Sequence, residues 1–271
     1  MKKLLLPLIL APLMAFASPS APGVIVETVT KDLMSGETTT SHMYVLGNDL
    51  VMEFADPRSG TSGSMVFLAE KGEWIMNDDV NRKYTHMDRA AIEQMSAQMK
   101  AAMSQVEKML ENLPASQREA MMNSGIPGME MLQGGGLPVI EMRKTGETAT
   151  KAGYPAERID MYVGDRRTQE MWVTEWSNVG GAAQVRDAMI GFAEMMRSFL
   201  DAMPTGMFGE GGLASFMDFE NGLPVVTYEL DEEGNPTTES VIQSFTEAEV
   251  DPEMFGPKPG YTKQDINFGM N

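Results

Sequence analysis

The sequence predicts an α+β fold in which a large curved antiparallel β-sheet, an open half-barrel of about 10–11 strands, is covered by two amphipathic, methionine-rich helices. Short segments of alternating apolar and polar residues recur about every ten residues, with turn residues between them. Two longer segments instead have apolar residues at steps of three and four. Many of the strands are apolar on one face only, so this face requires a cover.

The strand pattern is clearest in residues 137–176, where Ile159, Met161 and Val163 share one strand face and polar residues share the other. Residues 24–87 show the same alternation in six segments, and residues 222–245 show it in two more. These segments predict consecutive antiparallel strands joined by short turns.

The two helices interrupt this series of strands. We expect helical insertions at about residues 88–136 and 178–216. The first begins after Asp88, a plausible N-cap, and ends before Pro114; the second follows Gly180-Gly181 and ends at Pro204. Their apolar stripes are Ile92, Met95, Met99, Met103, Val106, Leu110 and Leu113 in the first helix, and Val185, Met189, Phe192, Met196, Phe199 and Met203 in the second.

The first residues predict export. Lys2 and Lys3 precede a short apolar run, and Ala15-Phe16-Ala17 supplies a cleavage site, which together indicate a signal peptide over residues 1–17. The apolar run is too short to span a membrane. We therefore expect residues 18–271 to form one soluble domain in the periplasm, with no membrane-spanning segment.

Composition excludes several classes of function. The chain has no cysteine, which excludes disulfides, thiol catalysis and cysteine-based metal sites. Its net charge of −18 at pH 7 disfavours binding to nucleic acid. It has 27 methionines but only 11 phenylalanines. Methionine adapts to irregular apolar space and to varied partners, so its abundance directs the functional hypotheses.

Several short motifs resemble a known group of proteins. They are Thr145-Gly146-Glu147-Thr148, Ala152-Gly153-Tyr154, Glu170-Met171-Trp172-Val173-Thr174, Gly222-Leu223-Pro224-Val225, and Phe255 with Pro259-Gly260-Tyr261. Together they resemble an uncharacterised family of exported bacterial proteins, itself similar to the periplasmic lipoprotein-carrier (LolA-like) superfamily. The resemblance implies a half-barrel whose concave face holds acyl chains beneath helical lids. Some relatives have a cysteine just after the Gly-Tyr pair, where this chain has Ala156.

No catalytic motif is present, and we expect neither enzymatic activity nor a cofactor. With two histidines and no cysteine, the common base–nucleophile pairs would need His42 or His86. Neither lies in a Gly-x-Ser-x-Gly motif, and the chain has no His-Glu-x-x-His motif or phosphate-binding loop.

The methionine stripes favour binding of an apolar ligand, such as an apolar small molecule, a lipid or the acyl chain of a lipoprotein. The predicted lining of the groove is Met95, Met99, Met103, Met189, Phe192, Met196 and Phe199. The alternative for each of these residues is ordinary packing against the sheet.

Two other functions stay open. His42-Met43 and His86-Met87 combine imidazole with thioether, a ligand set that suits Cu(I), although neighbours on a strand point to opposite faces. A structural or partner-docking module is the other possibility, since the Gly/Met-rich loops 125–136 and 204–215 carry apolar residues.

Overall fold

The computed structural model describes residues 20–56, 60–88, 140–202 and 222–264, together with ten positions between 90 and 108. Among these residues, no helix is both long and apolar enough to cross a membrane. The predicted signal peptide lies outside the described residues and stays a prediction.

The described chain is mostly β-structure, with twelve strands in a single sheet. In chain order the strands are β1 (Ala21–Asp32), β2 (Thr38–Leu46), β3 (Asp49–Asp56), β4 (Thr61–Leu68), β5 (Glu73–Asp78), β6 (Lys83–Met87), β7 (Ile140–Lys151), β8 (Tyr154–Val163), β9 (Arg166–Thr174), β10 (Leu223–Leu230), β11 (Pro236–Val250) and β12 (Thr262–Lys263). Across the sheet they lie in the order β12-β6-β5-β4-β3-β2-β1-β11-β10-β9-β8-β7.

Most of this order is a meander, because consecutive strands pair directly. The first half of the sheet joins the second through β1 and β11, which pair over almost their whole length from Ala21↔Val250 to Asp32↔Thr238. A bulge at Glu27/Thr28 shifts the register within this pair. Strand β12 pairs in parallel with β6, so the sheet is mixed and open.

One helix packs against the sheet among the described residues: α1, which comprises Ala182–Ala202. It follows Gly180-Gly181, where Gly181 has a φ of 73°, a conformation that favours glycine. A helix of this length spans about 30 Å, and neighbouring strands lie about 4.8 Å apart. A single helix is therefore long enough to lie across about six strands.

The predicted fold class is wrong. We predicted an α+β half-barrel of 10–11 antiparallel strands under two methionine-rich helices. The described residues instead form a mostly β, twelve-stranded open mixed sheet with one covering helix. A second helix was expected because every cover of the sheet was assigned to a helix. Among the described residues, α1 packs on the central strands, and the C-terminal segment covers part of the other face. The apolar stripe of the predicted first helix lies outside the described residues.

The main core lies between α1 and the first half of the sheet. Val185, Ala188 and Phe192 of the helix pack on strand residues that include Val45 and Phe67. The rings of Phe67 and Phe192 meet edge to face, with centroids 5.7 Å apart. This packing fixes the position of α1 over β1–β4.

The opposite face of β3–β5 is covered by the C-terminal segment. Met254 and Phe255 pack against a cluster of buried sheet residues. Asn77, which is fully buried, donates to the Gly256 carbonyl and accepts from the Lys258 backbone N–H. Beyond it, Thr262 donates to the Arg82 carbonyl, and this bond aligns β12 with β6.

Candidate functional site

Four methionines lie side by side across four neighbouring strands. The register pairs Met43 of β2 with Met52 of β3, Met52 with Met65 of β4, and Met65 with Met76 of β5. Directly opposite residues on neighbouring antiparallel strands point to the same face. We call Met43, Met52, Met65 and Met76 the methionine row.

The methionine row borders the main core. Met43, Met52 and Met65 are partly buried and pack against the core cluster under α1. Met76, at the outer end, is 43% exposed. The row therefore runs from the core to the solvent along a single sheet face.

The next row along the strands is a filled core rather than a cavity. It contains Val45, Leu50 and Phe67, each paired with the next across β2–β4, and it continues to Trp74 of β5. The first three are at most 2% exposed. The ring of Phe192 packs on this row through Phe67, so the row belongs to the core and the methionine row lies at its border.

Helix α1 contributes two further methionines to the edge of the core. Met195 and Met196 are partly buried and pack against the same core cluster as the methionine row. Phe54, 40% exposed, follows Met52 on the same face of β3. The Phe54 ring can lie over Gly63 because this residue has no side chain. A β-carbon there would collide with the Asn77 carbonyl and the Phe54 ring.

The residues predicted as groove lining fall into three groups. Met189 and Phe192 are each 7% exposed and form part of the core. Met196 is partly buried at the edge of that core. Met95, Met99, Met103 and the side chain of Phe199 lie outside the described residues. The structure thus brings three of these residues together, and their role in binding stays a prediction.

Sequence reasoning missed the methionine row because it depends on register. Each methionine occupies one alternating position within its own strand. The sequence of one strand does not show which residue of the next strand lies opposite it. The turn Gly47-Asn48-Asp49 does fix the pairing Leu46↔Asp49, which sets Met43 opposite Met52. A search of the hairpins by register would have found this first pair.

The two His-Met pairs are each split across the sheet. Met43 packs in the core, whereas the Nδ1 of His42 lies 3.1 Å from a Glu53 oxygen and its Nε2 lies 3.7 Å from Glu27. These carboxylates approach opposite ring nitrogens and cannot share one ion with the imidazole. The Nε2 of His86 lies 3.1 Å from Glu73, whereas Met87 pairs with Trp74.

The histidines also lie too far apart to act together. Four strand steps separate β2 from β6, which corresponds to about 19 Å. In the described part of the chain, no group of three or more His, Cys, Asp or Glu residues is arranged to hold a metal ion. The structure therefore does not bring His42 and His86 together, and the copper alternative on His42, Met43, His86 and Met87 stays a prediction.

A buried ion-pair network occupies strands β8 and β9. The Arg158 guanidinium donates to both oxygens of Asp160, which is 6% exposed, and Arg167 donates to the same carboxylate. The hydrogen bond with Asp160 raises the pKa of Arg158. The Nε1 of Trp172 donates to Glu170. These groups satisfy one another, which indicates a structural role for the network.

Two open cavities are lined by residues outside the methionine row. One of about 450 Å³ is lined by Thr30, Asp32, Glu37, Thr39, Ser41, Glu53, Phe54, Ala55, Glu229, Thr238 and Ser240. The other, of about 560 Å³, is lined by Lys144, Thr148, Ala149, Thr150, Pro155, Ala156, Glu157, Ile159, Val173, Glu175 and Asn178. Both linings are rich in polar side chains, unlike the methionine row.

Comparison with known proteins finds distant structural overlap only. No protein-family model matches the chain, and no curated protein matches it. An uncharacterized conserved protein from Thermus thermophilus is 8% identical, with 90% of each chain covered and a TM-score of 0.44.

Two other solved structures are longer than this chain. A PNGF-II structure is 11% identical, with 92% of this chain and 31% of that chain covered and a TM-score of 0.38. The Pseudomonas aeruginosa MucA/MucB complex gives 10% identity, 87% and 55% coverage and a TM-score of 0.28. At these identities and TM-scores the overlaps assign neither a family nor a function, and the LolA-like relationship stays a prediction.

Proposed function

We propose that this protein is a non-catalytic binding protein of the periplasm, and that it holds an apolar ligand such as an acyl chain against the methionine row. The observation that carries the proposal is the register of Met43, Met52, Met65 and Met76 across β2–β5. Because neighbouring members lie directly opposite each other, their side chains point to one sheet face and can act as one surface.

The position of the row supports binding better than it supports core packing alone. Residues Val45, Leu50 and Phe67 beside it are sealed by α1, whereas the methionine row reaches solvent at Met76. A flexible unbranched side chain can repack around chains of different length. Met195 and Met196 supply the same chemistry from the helix side.

An acyl chain fits this geometry because the surface is long and narrow. Four strands at about 4.8 Å spacing give a row about 15 Å long from the first methionine to the last. Burial of each methylene group contributes about 0.8 kcal/mol. A ligand of several methylene groups along the row would therefore bind without a strong polar contact.

The test compares two charged variants in binding an environment-sensitive apolar dye. Met76→Glu places a carboxylate at the open end of the row without entering the core. Met34→Glu is the matched control, since Met34 lies in the β1–β2 turn and is 82% exposed. We expect the native protein and Met34→Glu to bind the dye equally, and Met76→Glu to bind it about tenfold more weakly, a loss of about 1.4 kcal/mol.

Extraction of the natively purified protein with organic solvent gives the second readout. Lipid recovered from the native protein and from Met34→Glu, but reduced for Met76→Glu, supports the proposal. Absence of both co-purified lipid and saturable dye binding refutes it. Equal dye binding by the two variants removes the methionine row from the site.

A further inference from the structure

We infer that the methionine row also binds one Cu(I) ion through its thioether sulfurs, with Met52, Met65 and Met76 as the ligands. The inference is independent of the apolar-ligand proposal, because it depends on the sulfur atoms and not on the apolar area. It also differs from the His-Met pairs, whose members the sheet separates.

The spacing of the row allows several sulfurs to reach one ion. Opposite residues on neighbouring antiparallel strands have β-carbons about 4.5–5.5 Å apart. Each methionine has three rotatable side-chain bonds, so neighbouring sulfurs can converge on a point above the sheet. Met65 is paired with both Met52 and Met76, which makes it the central ligand.

The chemistry of the row selects a soft cation. Thioethers prefer Cu(I), whereas carboxylates and imidazoles also accept Zn(II) and Cu(II). At its two ends the row is bounded by Val26, which pairs with Met43, and by Thr85, which pairs with Met76. No carboxylate or imidazole belongs to this register row, and Asp78, two residues from Met76 on the same strand face, is hydrogen-bonded to Asn81.

The exposed end of the row provides an entry point. Met76 is 43% exposed, whereas Met65 and Met52 are partly buried against the core under α1. An ion that first meets Met76 can therefore exchange water for sulfur while passing inwards. Met43 lies beyond Met52, next to Val26, and would be the innermost thioether.

The test is anaerobic titration of the purified protein with Cu(I) in competition with a colorimetric Cu(I) chelator. The informative variant is the Met52→Leu, Met65→Leu double variant, which removes two sulfurs and keeps the apolar surface. Loss of outer-shell contacts alone weakens metal binding by about 10–100-fold. We therefore expect the double variant to lose at least about 100-fold in affinity, and the control Met34→Leu to lose none.

Three further readouts make the result decisive. The double variant should unfold at the same urea concentration as the native protein, which separates loss of the copper ligands from loss of the fold. Met76→Leu changes an exposed position that folding tolerates, and should lower Cu(I) affinity by about tenfold. Copper K-edge absorption should show sulfur ligands only.

The inference is overturned if the native protein fails to compete for Cu(I). It is equally overturned if the double variant and Met76→Leu retain native affinity, since the ion would then lie on other methionines. A nitrogen or oxygen shell around copper would also contradict it.

Discussion

At the scale of single residues, the methionine row differs from its neighbouring row in side-chain chemistry. Val45, Leu50 and Phe67 are shape-restricted and almost completely buried. Their methionine neighbours are unbranched, polarisable and only partly buried. A rigid, sealed row stabilises the fold, and an adaptable row that reaches solvent can exchange contacts with a ligand. This contrast between adjacent rows is the basis of the functional proposal.

A second residue-scale feature is the environment of Tyr228. Burial first, and then its hydrogen bond to Glu239, raise the pKa of Tyr228 to about 12. The ammonium of Lys151 lies 5.9 Å from the centre of its ring. The phenol is thus held in its neutral form well above the ordinary tyrosine pKa.

This pKa leads to a prediction for stability at high pH. Because the folded state binds the proton more tightly than the unfolded state, the contribution of Tyr228 is complete below pH 10 and is lost as pH rises towards 12. Tyr228→Phe should therefore show a shallower fall in unfolding free energy over this range than the native protein. Urea unfolding at a series of pH values measures it.

Tyrosinate absorbance at 295 nm provides the control for the Tyr228 prediction. The absorbance of the native protein and of Tyr228→Phe is titrated against pH. The difference between the two curves should be a tyrosine that ionises towards pH 12. If the missing tyrosine instead ionises near pH 10, the hydrogen bond to Glu239 does not hold the phenol neutral.

At the scale of elements, the buried amide of Asn77 is one of the groups that join the C-terminal segment to the sheet. The amide of Asn77 donates to Ser64 Oγ and to the Gly256 carbonyl, and its oxygen accepts from the Lys258 N–H. The Lys258 ammonium then pairs with Asp79 at 2.8 Å. The buried amide aligns the segment, and the more exposed ion pair adds little by itself.

We predict that Asn77→Ala detaches this segment from the sheet. The substitution leaves the Lys258 N–H and the Gly256 carbonyl without their partner, and an unsatisfied buried polar group costs about 1–3 kcal/mol. Hydrogen exchange should accelerate over residues 254–264, and urea should unfold the variant at a lower concentration. Asn81→Ala, at an exposed turn residue bonded to Asp78, is the control and should change little. Unchanged exchange in the segment would contradict this account.

Element positions were largely predictable because they depend on local patterns. Alternation located the strands from β1 to β11, and the apolar stripe with Gly180-Gly181 located α1 close to its bounds, Ala182–Ala202. The Pro/Gly-rich C-terminal run has no periodicity, and it packs on the sheet through Met254 and Phe255. Strand β12 has two residues, too few for any periodicity to be visible.

The candidate site was less predictable because it depends on which residues face each other. The predicted groove lining included the methionines of α1, because an apolar stripe within one helix is visible in the sequence. Met189 and Phe192 of that stripe fill the core. Met52, Met65 and Met76 belong to three strands, and only the register places them side by side.

At the scale of the whole molecule, the sheet divides into two halves that differ in what covers them. The half from β6 to β1 carries α1 on one face and the C-terminal segment on the other. The half from β11 to β7 carries the ion-pair network of Arg158 and Asp160, and the start of α1 packs on it through Ala182. The methionine row lies within the first half, beside the core that α1 covers. An apolar ligand bound there would extend the core instead of filling an enclosed cavity.

Photo-crosslinking with an acyl chain that carries a diazirine near its end tests this central claim most directly. After irradiation and proteolysis, mass spectrometry should locate the probe on peptides that contain Met52, Met65 or Met76, and an excess of unlabelled fatty acid should suppress the labelling. The Met34 peptide serves as the internal control for non-specific reaction. Labelling spread over exposed surfaces without competition, or confined to peptides outside β2–β5 and α1, would contradict the account.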